Sequence, residues 1–244
     1  MTQRLFIDGH ALWSSQVAGE RPAPAMLVAN ERRRAPDSVL VALEVAQRAV
    51  QASGHDPATL ASVFTSAHGD LAIVDALCTT LARDPTLLSP TRFHHSVHNA
   101  ASGYWAIAAG ARAPSTALSA HGASFAGGLL EAACQCEADQ RPVLLAGFDT
   151  DARGALASVN RSRGLLGVAL VLAPQRSARS QWSIGWAVRP GAAAAPAPTT
   201  LAALAGNAMA DALPLFEALA GGHGAAFALP LTPQLALALD LQAL

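Results

Sequence analysis

The sequence has no lysine: all 16 of its basic side chains are arginine, set against 17 acidic ones for a formal net charge of −1. So even a balance offers no general attraction to nucleic acid or to an anionic membrane surface. Charge is scarce altogether, at 14% of residues against 52% hydrophobic, which excludes a disordered chain and favours a compact, well-buried one. Long apolar runs are missing too. Charged, glycine and proline residues interrupt every rich stretch before it reaches the roughly 18 residues that suit a membrane span. The opening "MTQRLFIDGHALW" lacks the apolar core of a secretory signal. Cysteine is limited to Cys78, Cys134 and Cys136. An odd, sparse set argues against a disulfide framework and for the reducing cytoplasm. The two cysteines of "CQC" lie in a helical stretch, where residues two apart face different ways. They read as small packing residues, not as a metal or redox site.

What is present alternates between two patterns. "RLFIDGHALW" reads as an opening strand ending at Gly9, and "RPAPAM" as a loop. "PDSVLVALEVAQRAVQASG" predicts a helix, with Pro36 near its start and Gly54 as its stop. "LASVFTSAHG" is a buried strand and loop, and "DLAIVDALCTTLARD" a second amphipathic helix closed by Pro85. "SPTRFHHSVHN" reads as irregular. "AASGYWAIAAGAR" is a helix of small residues, suited to close approach by another element. The strand "STALSA", the helix "SFAGGLLEAACQCEAD" and the strands "RPVLLAGFDTD", "LLGVALVLAP" and "QWSIGWAV" follow. Near-continuous apolar strands alternating with helices predict an α/β protein whose mixed sheet is covered by helices. The Pro/Ala-rich segment 190–200 then reads as a semi-rigid connector between a domain at 1–189 and a C-terminal piece at 201–244. That piece holds a helix, "DALPLFEALAGG", and a hairpin-like stretch, "AAFALPLTPQLALALDL", packed on the same domain. No internal repeat organises the chain.

The stretch "STALSAHGASFAGG", Ser115 to Gly128, has the order strand, small-residue turn, helix. That order presents a nucleophile with a helix N-terminus behind it. Within it, "GASFA" is one residue short of G-x-S-x-G, which makes Ser124 or Ser119 a candidate hydrolase or acyltransferase nucleophile. Asp149 or Asp151 would supply the acid and His223, the single histidine after Ser124, the base. A helix cap is the plainer role for Ser124. In "FHHSVH", His94 and His98 have a helical metal-ligand spacing, but Pro90 and the lack of apolar periodicity favour a loop that lines a pocket or interface. "ERRRAP" reads as a solvated helix entrance or a docking contact for an acidic carrier protein. "SAHGD", residues 66–70, is poor in glycine and without lysine, so it is no phosphate cradle.

The run from Ser89 to Gly128 resembles the ketosynthase branch of the thiolase superfamily. Ser89, Pro90, Asn99, Gly103, Gly110, Arg112, Pro114 and Ser119 stand where that family has Ser-Pro, Asn-x-x-x-Gly, Gly-x-Arg-x-Pro and the strand before its nucleophile turn. "VFTSAHGDL", "VLLAGFDTD" and "GLLGVALVLAP" resemble further core strands, so the likeness covers roughly residues 1–188. It implies a thiolase-like fold, mainly the N-terminal half, with a reduced C-terminal segment. Where the family carries its catalytic cysteine, this sequence has Gly122. The family's lysine and two histidines have no counterpart beyond residue 188, where His223 stands alone.

The resemblance therefore implies a non-catalytic chain length factor, of the short form seen in bacterial aryl polyene pathways. Such a subunit pairs with a full-length ketosynthase, as a heterodimer or a dimer of heterodimers, and meets an acyl carrier protein only indirectly. It shapes the partner's acyl tunnel in polyene, polyketide or fatty-acid-like biosynthesis, and no cofactor or metal is implied. Carried over by motif, the pairing surface falls on His98, Asn99, Tyr104, Trp105, Ser115, Thr116, Ala117, Leu118 and Ser119. Tyr104 and Trp105 would be its aromatic anchors. The tunnel wall falls on His68, Leu71, Val74, Phe93 and His94. A self-associating structural or regulatory protein that kept the fold and lost all acyl contact is the remaining reading.

Overall fold

The computed structural model describes residues 3–18, 20–194 and 197–244. In chain order the elements are β1 (Gln3–Ser14), α1 (Ser15–Ala18), α2 (Ala29–Arg34), α3 (Asp37–Ser53), β2 (Ala61–Thr65), α4 (Leu71–Arg83), α5 (Pro90–Ser96), α6 (Ala100–Ala109), β3 (Ser115–Leu118), α7 (Ser124–Asp139), β4 (Val143–Asp149), β5 (Leu166–Ala173), β6 (Trp182–Pro190), α8 (Leu213–Gly221), β7 (Ala225–Thr232) and β8 (Leu235–Ala243). The strands form one eight-stranded sheet in the order β3-β2-β4-β5-β1-β6-β8-β7. β2 runs parallel to β3 and β4, and every other neighbouring pair is antiparallel.

Two apolar cores lie on opposite faces of this sheet. One joins α3 and α6 to Leu144, Ala146, Ala169 and Val171. The other joins α7 and α8 to Val143, Leu145, Val168 and Leu170. Alternate residues of β4 and β5 thus serve opposite layers, which is why both strands are buried along their whole length. α3 starts behind Pro36 and stops at Gly54, whose φ of +63° suits glycine. It lies so close to the sheet that a methyl group on Gly9 would sit 2.2 Å from the carbonyl oxygen of Ala49. β1 does not end at that glycine, as the sequence suggests. A bulge between Ile7 and Gly9 carries the strand on to Ser14. Buried Asp8 beside it accepts from His55 Nε2 at 2.9 Å and Ser180 Oγ at 2.7 Å.

The segment expected to be irregular contains α5. Ser89 caps it by accepting from the N–H of Arg92, and Pro90 takes its first turn, where a missing N–H costs nothing. In the connector, residues 195 and 196 lie outside the described residues. The Glu217 carboxylate of α8 holds the segment that follows, accepting from the backbone N–H groups of Thr199, Thr200 and Leu201. The expected hairpin forms as β7–β8. Its turn is fixed by Thr232 Oγ1, which accepts from Gln234 and Leu235. β8 pairs with β6 from Trp182 to Pro190, so the hairpin extends the main sheet.

Candidate functional site

β2, β3 and β4 are parallel neighbours, so their C-terminal ends open together at one end of the sheet. Crevices for ligands form at such ends. The loops after β2 and β3 begin with the same four residues, Ser66-Ala67-His68-Gly69 and Ser119-Ala120-His121-Gly122. Thr65 pairs with Leu118, so the two copies start in register. Their histidines meet edge to face, with His68 and His121 ring centroids 5.6 Å apart. Burial and the neighbouring His121 hold His68 below the ordinary imidazole range, so it is neutral at neutral pH.

Asp149, at the end of β4, fixes the first of these loops. Its carboxylate accepts from Ser66 Oγ at 2.7 Å, Ala67 N at 2.9 Å and His68 N at 3.3 Å. Ser66 Oγ accepts from Gly69 N at 2.8 Å, and His98 Nε2 donates to the Ser66 carbonyl at 3.0 Å. Ser119 Oγ reaches across from the second loop to the Ala67 carbonyl at 3.0 Å. Burial pushes the Asp149 pKa up to about 6, against the pull of its three hydrogen bonds. Asp211 is pushed further, to about 7, by burial; the Ala126 N–H opposes this and the Asp149 charge adds to it. Neither oxygen of Asp211 reaches a partner in hydrogen-bond geometry.

The turn after β3 is strained at His121, not at Gly122. His121 has φ of +50°, a conformation that costs a side-chain-bearing residue about 1 kcal/mol or more. Ser124 braces it. Its hydroxyl accepts from Ala120 N at 3.0 Å and donates to the His121 carbonyl at 2.7 Å. A Cβ added at Gly122 would meet nothing within 4 Å. The turn thus has room for a side chain at 122 and carries none.

Neither serine is poised as a nucleophile. Ser124 is fully buried and spent on backbone partners, and Ser119 donates to Ala67. Neither is hydrogen-bonded to a histidine side chain. Asp151 accepts from Gly164 N at 2.6 Å, and His223 is exposed beyond α8, beside Gly221. The serine hydrolase reading is therefore corrected: its pieces exist in the sequence, but the fold does not assemble them. His94 and His98 do not share a helix either. His94 lies on α5, whereas His98 follows it and is committed to Ser66.

Of the expected wall residues, His68 leads into α4, Leu71 and Val74 lie on α4, and Phe93 and His94 lie on α5, which packs against α4. Leu71 is buried, Val74 half-buried, and Phe93 is 64% exposed. Of the expected pairing residues, Ser115 to Leu118 form β3, the outermost strand at one edge of the sheet. Pro114 and Leu118 offer their carbonyls to Ser62 and Ser66 of the β2 side. By alternation Ser115 and Ala117, both exposed, turn their backbone groups outward. Beside this edge, Asn99, Gly103 and Ile107 form one exposed stripe along α6, with Ile107 80% exposed. Trp105 does not belong to that surface. It is 1% exposed and packs against Phe64 at 6.4 Å, so its ring belongs to the core. Tyr104 is half-buried, with its hydroxyl 2.9 Å from His95 Nε2. The sequence reading missed Ile107, His121 and the organising role of Asp149. Only the recurring Ser-Ala-His-Gly was there to point at His121.

Residues 10–227 match the family described as beta-ketoacyl synthase, N-terminal domain. No curated protein matches the sequence. Among solved structures, one similar chain comes from the ketosynthase ApeO in complex with its chain length factor ApeC from Xenorhabdus doucetiae. It has a TM-score of 0.68 and 23% identity, over 89% of this chain and 83% of that one. Another comes from the ishigamide ketosynthase/chain length factor, with a TM-score of 0.67 and 14% identity over 99% of each chain. A third comes from AntDE:AntF, a type II polyketide synthase acyl carrier protein with its ketosynthase, with a TM-score of 0.71 and 11% identity over the whole of both chains. These likenesses show the ketosynthase fold, and with it the thiolase-like architecture expected from the sequence.

Proposed function

The chain belongs to the family of beta-ketoacyl synthase N-terminal domains, and we propose that within it this protein is a chain length factor: a non-catalytic subunit that pairs with an active ketosynthase. The observation that carries the reading is one juxtaposition. A turn with no nucleophilic side chain at Gly122 lies directly behind an open sheet edge, β3. The first feature removes the covalent step of acyl transfer, since glycine cannot form a thioester. The second offers a partner a row of free backbone groups.

The two edges of the sheet are unequal. β7, at the far edge, carries Pro230 and a register shift beside it, which blunt it against pairing. β3 has no proline between Ser115 and Leu118, and its neighbour α6 presents Gly103 and Ile107 to the outside. A small residue admits a close backbone, and an exposed isoleucine supplies apolar area worth roughly 25 cal/mol per Å² on burial. The relatives in complexes of ketosynthase with chain length factor support a ketosynthase as the occupant. In that complex His68, Leu71, Val74, Phe93 and His94 would wall the far end of the partner's acyl tunnel, and the acyl carrier protein would deliver to the partner's cysteine.

The test is co-expression with a full-length ketosynthase of the same organism. The wild-type chain is expected to co-purify in a stoichiometric complex. Ala117→Pro removes an outward N–H at the exposed edge, and this variant should fold alone but lose the complex. A complex unaffected by proline at 117 would place the seam elsewhere. A stable wild-type homodimer that ignores every ketosynthase would favour the self-associating reading.

A further inference from the structure

The loop joining β4 to β5, residues 150–165, carries three arginines into one open cavity of about 740 Å³. Arg153, Arg161 and Arg163 line it together with Asp151, Ser162 and Gly206. The backbone beneath them is tightly held. Ala152 N donates to the Ser162 carbonyl at 2.9 Å, which brings the two limbs of the loop side by side. Arg163 N donates to the Gly206 carbonyl at 3.0 Å, and Asn207 Nδ2 donates to the carbonyls of Arg163 at 3.1 Å and Gly164 at 2.8 Å. Ser162 is 4% exposed and accepts from Ala208 N, so it faces inward. Arg161 and Arg163, on either side of it, are exposed, and Arg153 joins them from the opposite limb.

The guanidinium groups of these three arginines have no hydrogen-bond or ion-pair partner among the described residues, in contrast to Arg4, Arg21, Arg48 and Arg141, which are ion-paired. Asp151 is the one carboxylate in the lining, and its Oδ1 already accepts from Gly164 N. The cavity therefore gathers three positive charges against one negative on a fixed frame. Like charges crowded into one concavity repel unless a polyanion joins them. A single carboxylate would leave the excess unbalanced. A phosphate ester carries about two charges and three acceptor oxygens suited to the arginine fork.

We propose that this cavity is a binding site for a phosphate-bearing ligand, recognised through Arg153, Arg161 and Arg163. The site is separate from the β3 edge and does not depend on the pairing reading.

Calorimetric titration of the full-length chain with inorganic phosphate, ADP and adenosine tests it. Saturable, salt-sensitive binding of phosphate or ADP at a single site, with adenosine silent, is the expected result. Tighter binding of ADP than of phosphate assigns a phosphorylated small molecule, and equal binding assigns the free anion. Arg161→Ala and Arg163→Ala should each weaken binding about tenfold, while Arg176→Ala, an exposed arginine outside the cavity, should change nothing. Asp151→Asn should tighten binding, because it removes the opposing charge. Absence of saturable binding by the folded chain, or equal binding by the wild type and the Arg161/Arg163 double variant, overturns the proposal.

Discussion

Asp149 and Asp211 sit close enough for each charge to be felt by the other, both shielded from water near the start of α7. Asp149 is provided for: three donors converge on it, and it holds the loop bearing His68. Asp211 has no such set: both its oxygens are buried without a hydrogen-bond partner, so its ionised form is poorly solvated. Both carboxyls bind protons more tightly in the folded chain than in the unfolded one. Folding therefore takes up protons between the ordinary 3.8 and about 6 for Asp149, and between 3.8 and about 7 for Asp211. By linkage the contribution of these groups to stability declines as pH rises through that window. Asp211→Asn should match the wild type in stability at about pH 3, below the ordinary carboxylate value, where position 211 is uncharged in the folded and the unfolded chain alike. At about pH 8 it should be more stable by roughly 1–3 kcal/mol. Urea denaturation at the two pH values measures this, and an identical difference at both would mean that Asp211 does not titrate in the window.

At the scale of elements, the periods of 2 and 3.6 residues made most of the fold readable. The long β4 and β5 runs, the α3 stripe and its Gly54 stop all formed as the pattern predicts. The failures were local. Pro90 reads as a breaker, but behind the cap of Ser89 it starts α5. Gly9 reads as an end, but it is where α3 approaches β1 closely. α6 is apolar on nearly every side, so its sequence cannot say which face is inward; hence Trp105 was placed outside and Ile107 overlooked. Contacts made across long loops were also invisible, and Glu217 is the clearest example. Burial disfavours its charge, but donors from Thr199, Leu201 and Thr200 outweigh that and hold the pKa at about 2. Its folded value is depressed, so its contribution is present above the ordinary 4.5 and is lost as pH falls toward 2. Glu217→Ala leaves the N–H groups of residues 199–201 without their acceptor and should cost roughly 1–3 kcal/mol. Limited proteolysis should then cut near Thr199 faster than in the wild type, while the β7–β8 hairpin stays paired. Equal cutting rates would show that the clamp does not order the connector.

Among the exposed apolar side chains of the molecule, three lie on consecutive helices that pack one against the next. Leu81, Phe93 and Ile107, on α4, α5 and α6, are 54%, 64% and 80% exposed. The β3 edge lies beside α6, while the opposite edge of the sheet is blunted at Pro230. A subunit built this way has one face that gains by being covered, and a stable pair buries on the order of 1,600 Å² in total. Phe93 separates two roles that such a face can have. If it only packs in the seam, Phe93→Ala weakens association and leaves the products of the complex unchanged in length. If it closes the partner's tunnel, the complex persists and the acyl space gains the volume of a phenyl ring. Each methylene-sized step is discriminated by about 1–3 kcal/mol, so removing the ring should shift the product distribution to longer chains. The folded stability of the subunit alone should stay within about 0.5 kcal/mol, since the side chain is already largely in water. Mass spectrometry of products from the co-expressed pair, with the complex checked by size exclusion, gives the answer. Longer products from an intact complex make Phe93 part of the wall, and an unchanged distribution from an intact complex moves the wall away from α5.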